Sequence, residues 1–170
     1  MKRYDIFKYT LYVLEILLSF VIQTTPHLLP SIFGEKAFLL LPAVLSAAVF
    51  ESEIPSVALG LTGGLLADLS YSGSVGFFSI FLVILCYTAS RLMADYIRTS
   101  FLTVMLMAAV GTTGIFLLHF LFFYVLAGGT NISGFFAAHY MTRIGYTLIC
   151  MPVYCILNKT VSEKFQRSKL

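Results

Sequence analysis

Glu51-Ser52-Glu53-Ile54-Pro55 breaks an apolar stretch that otherwise runs from Lys36 to Leu69. If the break turns the chain between two membrane spans, the protein has six; if it only interrupts one irregular segment, it has five. A span needs roughly 20 apolar residues, or about 17 with little tilt, so the two halves are short by that measure. Charge settles the choice, because cytoplasmic connections carry an excess of Lys and Arg. Lys2, Arg3 and Lys8 precede the first apolar run, Arg91 and Arg98 flank the break after the fourth, and Lys159, Lys164, Arg167 and Lys169 follow the last. With the amino terminus inside, six spans put all of these on one side and leave only Lys36 and Arg143 elsewhere. Five spans would carry the four carboxy-terminal basic residues outside.

The expected fold is therefore all-α. It is a polytopic integral membrane protein of six transmembrane helices with both termini cytoplasmic. The spans are about 5–24, 36–50, 54–69, 75–94, 99–126 and 134–158, in a single membrane domain covering 1–170, and residues 159–170 form a basic cytoplasmic tail. Composition agrees: 59% of the 170 residues are hydrophobic and 11% charged, against about 25% charged in a soluble domain. The net charge of +3 is explained by topology and by anionic lipid at the cytoplasmic face, and no nucleic-acid site is read from it. The first run ends at Thr25-Pro26, where the residue before proline leaves the helical region. No small-x-small cleavage site follows it, so it is read as an uncleaved span. Pro42 falls inside the second run and removes a backbone donor there. Cys86, Cys150 and Cys155 all lie in apolar runs without ligand spacing and read as small buried hydrophobes.

The third segment, Val57-Ala58-Leu59-Gly60-Leu61-Thr62-Gly63-Gly64-Leu65-Leu66-Ala67-Asp68, carries the most information. Gly60 and Gly64, with Gly63 between them, give a small-residue face on which another helix can approach closely. That helix belongs either to the same chain or to a partner. Gly73 and Gly76, among Ser70, Ser72 and Ser74, mark a turn before the fourth span. Asp68 is an ionisable group inside a span and needs a partner or a wet cavity. Arg143 on the sixth span lies at similar depth, so an Asp68–Arg143 ion pair is geometrically open, either as a strut fixing helix register or as part of a ligand cavity. Glu15 falls near the middle of the first span, where it is either functional or protonated by desolvation. His119 and His139 have no second ligand at metal spacing and read as hydrogen-bonding packing residues. No GxSxG, HExxH or phosphate loop occurs, so no enzymatic activity, metal or cofactor is expected.

The run Gly60-Leu61-Thr62-Gly63-Gly64-Leu65-Leu66-Ala67-Asp68, followed by Gly73-Ser74-Val75-Gly76-Phe77-Phe78 and an apolar span ending in Tyr87, resembles the rod-shape-determining MreD family. That family has a G-x-x-x-G-L-L-x-D stretch before a short loop and a further span. The motif covers about thirty residues, and the remaining likeness is one of length and hydropathy. The resemblance implies a non-enzymatic scaffold in the bacterial cytoplasmic (inner) membrane. Such a scaffold would bind the bitopic protein MreC and be linked through it to MreB filaments, RodA and a penicillin-binding protein in peptidoglycan synthesis. It carries over Gly60, Gly64, Leu65, Leu66, Asp68, Gly73 and Gly76. The short second segment with Pro42 departs from the family pattern. The fold is also similar to the substrate-binding subunits of energy-coupling-factor vitamin transporters. Those subunits present an Ala-xxx-Ala face on the first span, whereas Tyr9 to Leu18 here is bulky throughout, and the outer loops offer little beyond His27, Tyr71, Asn131 and Ser133.

Overall fold

The structure, a computed structural model, describes residues 3–26, 28, 30–31, 34–70, 76–95, 100–128 and 132–167. All regular structure among them is helical. Helix α1 is Arg3–Thr24, α2 is Leu40–Val49, α3 is Glu53–Ser70 and α4 is Phe77–Asp95. Helix α5, Phe101–Phe120, widens into a π turn over Leu121–Val125. Helix α6 begins at Ile132–Phe135, passes through a π stretch at Phe136–Met141 and continues as Thr142–Arg167. Lys2, His27, Tyr71, Gly73, Arg98, Asn131 and Lys169 lie outside the described residues.

Four stretches are long and apolar enough to cross a membrane: Ile6–Thr24, Phe77–Asp95, Phe101–Val125 and Ile132–Phe165. Their outward faces are aliphatic. Leu14 is 56% exposed, Ile80 62%, Val110 70% and Ile149 73%, a surface that water would not tolerate over so much of a chain. The inward faces follow the helical period, as with Tyr12, Ile16 and Ser19 on α1.

Ion pairs and shared cavities fix the helix directions. Lys8 at the start of α1 pairs with Glu51 in the α2–α3 turn, and Arg91 near the end of α4 pairs with Glu53 at the start of α3. Glu51 and Lys159 line one cavity, which brings the end of α6 to the same place. At the opposite end Thr24, Lys36, Ser70 and Arg143 line another. The six helices thus alternate in direction.

Helix α2 is the axis of the bundle. It packs against all five other helices, and every residue from Ala37 to Val49 is buried. This position corrects the expected second span, 36–50: the helix has only 10 residues, about 15 Å at 1.5 Å per residue, and residues 36–38 before it have no regular structure. Non-helical backbone is tolerated at such depth only where protein surrounds it and supplies its hydrogen bonds. Here Phe38 N donates to Thr147 Oγ1 (3.0 Å) and Leu40 N to Gln23 Oε1 (3.4 Å). Pro42 does not interrupt the helix either, because it sits in the first turn, where the missing N–H has no intrahelical partner. Helix α6 runs on to Arg167 because Val161 and Ser162 pack inward, with Ser162 only 1% exposed, and Phe165 meets Phe7 at 5.9 Å between ring centres.

Candidate functional site

Gly60, Gly63, Gly64 and Asp68 of α3 turn toward neighbouring helices of the same chain. Helix α4 begins after Gly76, whose φ of +87° is the left-handed conformation that favours glycine. Gly76 O accepts the first helical bond, from Ile80 N at 3.1 Å. A glycine in that place has no side chain to cap the free N–H groups of the first turn. Asp68 supplies the missing oxygens from α3. Its Oδ1 accepts from Phe78 N at 2.9 Å, and its Oδ2 accepts from Ser79 N at 3.1 Å and from Ser79 Oγ. The carboxylate therefore lies at the positive end of the α4 dipole, which is how a residue only 7% exposed is accommodated.

Below the cap the glycines set the spacing. A methyl at Gly64 would overlap Ser79 Cα and lie 2.9 Å from Ser79 N; at Gly63 it would overlap Val44 Cγ2 of α2; at Gly60 it would lie 3.1 Å from Cys86 Cβ and from Leu82 O. Farther along, Ser56 Oγ donates to Cys86 O at 2.8 Å. Of the two readings of the small-residue face, packing within the chain is the one found: Gly60, Gly63 and Gly64 are covered by α4 and α2. One further part of the sequence reading is corrected here. The Asp68–Arg143 pair is not formed, because Asp68 is drawn to the α4 terminus and Arg143 to a different acid.

That acid is Glu35, in the segment between α1 and α2, which takes both Arg143 Nη2 and His139 Nδ1, the latter at 2.8 Å. Nothing in the sequence pattern singled it out. Its side chain is 13% exposed, so Glu35→Gln is expected to cost about 1.5–3 kcal/mol, the range for hydrogen bonds to charged groups. The loss should be read as a lower melting temperature in detergent and as faster proteolysis within residues 25–39. His119 bonds Tyr140 OH at 2.8 Å and stacks on Phe123, a packing role of the kind expected.

Glu15 also finds a partner the sequence did not announce. Asn158, fully buried, donates through Nδ2 toward Glu15 Oε1 (3.1 Å), Ser46 Oγ (2.8 Å) and Ala43 O (3.4 Å). Ser19 Oγ and Tyr154 OH, 2.9 Å apart, extend this polar seam along α1 and α6. The seam, the Asp68 cap and the Glu35 bridge all join helices to one another. Their chemistry is that of cross-linking and capping.

Taken with four apolar helices of membrane-crossing length, the arrangement places the chain among helical membrane proteins. Comparison with protein families, curated proteins and solved structures finds no match in any of the three.

Proposed function

We propose that the chain is a non-enzymatic membrane scaffold of the MreD type. It crosses the cytoplasmic membrane six times with both termini inside and serves cell-wall elongation beside an MreC-like bitopic partner, through which it is linked to MreB filaments, RodA and a penicillin-binding protein. One observation carries the reading. Gly60, Gly64, Asp68 and Gly76, four of the residues on which the resemblance rests, build a single structural unit, the clamp between α3 and α4. A motif spent on architecture is what a scaffold requires. The side of α3 away from the clamp, with Leu61 at 47%, Leu65 at 52% and Leu69 at 75% exposure, is left for lipid or for the partner. Clustering of Lys8, Arg91 and Lys159 at one end of the bundle supports the orientation.

The test is extraction of the tagged full-length protein from its own cells in mild detergent, with mass spectrometry of what accompanies it, and depletion of the protein in growing cells. A single-span partner of the MreC kind and rounding of the depleted cells are the expected results. A co-purifying vitamin with unchanged cell shape would overturn the proposal in favour of a transporter subunit.

A further inference from the structure

Lys36 and Arg143 are the two basic residues that the charge rule leaves on the non-basic side, one in the segment before α2 and the other on α6. The fold brings them to the same cavity. It measures about 310 Å³ and is lined by Gln23, Thr24, Lys36, Phe38, Ser70 and Arg143 among others. At about 30 Å³ of liquid volume per water, it has room for a phosphate- or carboxylate-sized group with part of its shell.

The lining is built of donors. Lys36 has no hydrogen-bond or ion-pair partner among the described residues. Arg143, bonded through Nη2 to Glu35, brings its positive charge to the lining. Gln23 uses its Oε1 to accept from Leu40 N, which orients its amide so that the NH₂ remains to donate. Ser70 Oγ is buried without a hydrogen-bond partner among the described residues, a costly state for a hydroxyl. Thr24 contributes little, since its hydroxyl turns back to Phe20 O at 2.8 Å. Two cations and two neutral donors line the cavity, and none of its described lining residues is an acid. Glu35 compensates Arg143, and Lys36 is left without an acid paired to it among the described residues.

We propose that this cavity binds an anionic group, a phosphate or a carboxylate, at the end of the bundle opposite the basic termini. Lys36 and Arg143 supply the charge, and Ser70 and Gln23 the directed hydrogen bonds. The group belongs either to a free small anion or to a lipid headgroup, and the site stands whether or not the chain is a cell-wall scaffold.

Two titrations of purified full-length protein test it. In neutral detergent at constant ionic strength, inorganic phosphate should raise the melting temperature in a saturable way. In nanodiscs, native mass spectrometry should find phosphatidylglycerol retained over phosphatidylcholine. Saturation in the first arm alone identifies a free anion, and selective retention in the second identifies a headgroup. In either case Lys36→Gln should weaken binding at least about tenfold, as expected for loss of a charged hydrogen bond, with ligand-free melting unchanged. Ser70→Ala, a smaller change, should weaken it several-fold. Absence of binding in both arms, or binding by Lys36→Gln equal to that of the parent, would overturn the proposal.

Discussion

Replacing Asp68 with alanine is expected to lower the stability of the purified protein by about 2–4 kcal/mol, measured by unfolding in mixed detergent. The estimate follows from what the carboxylate does. Losing a helix cap costs about 0.5–2 kcal/mol, and a buried donor left without a partner costs about 1–3 kcal/mol. Without the carboxylate, Phe78 N and Ser79 N face a buried, apolar interface, and Gly76 has nothing with which to replace it. Asp68→Asn retains one acceptor oxygen and should lose less. Arg143→Gln added to either variant should bring its own further loss, since Arg143 serves Glu35. A strut between Asp68 and Arg143 would predict the opposite, a double variant more stable than the acid variant alone.

Gly64→Leu should have the larger effect and prevent stable accumulation of the folded protein. The first added carbon would overlap Ser79 Cα, with Ser79 N and Phe78 O just beyond it. Backbone cannot rotate away as a side chain can. Helices α3 and α4 must then part, and parting them withdraws Asp68 from its cap, so the overpacking cost of about 1–3 kcal/mol is compounded by the loss of the cap. Gly60→Ala meets Cys86 Cβ and Leu82 O at 3.1 Å and should be milder. Gly114→Ala, with open space around the added carbon, controls for the composition of the change and should be neutral or slightly stabilising. Membrane-fraction yield and melting temperature across the three variants check the order.

Much of this architecture is written in the sequence because hydropathy and charge are read one residue at a time. The runs that became α1, α3 and α4 end within about two residues of their helices, α5 does so once its π turn is included, and the break holds a short turn, residues 50–52, between two helices. Helix α2 was less legible. A fully buried apolar run looks the same whether it is helical or not, so the irregular stretch before Leu40 left no mark. The polar partners were hidden for another reason: they join parts of the chain far apart in sequence. The glycine before α4 was visible, but not that Asp68 of the preceding helix would cap it. Glu35 lies 108 residues from Arg143, in a connection with no periodic pattern, and Asn158 lies 143 residues from Glu15. Matching depth alone suggested Asp68 for Arg143. Depth does not report azimuth around the bundle, and the α4 terminus was nearer to hand.

The clamp between α3 and α4 is tested most directly by two double-mutant cycles on Asp68, one with Ser79 and one with Arg143, using Asp68→Ala, Ser79→Ala and Arg143→Gln. Groups in contact couple by about 0.5–3 kcal/mol, and distant, independent groups add to within about 0.3–0.5 kcal/mol. The predicted result is a coupling above about 0.5 kcal/mol for Asp68 with Ser79 and additivity for Asp68 with Arg143. The reverse, additivity with Ser79 and coupling with Arg143, would contradict the clamp.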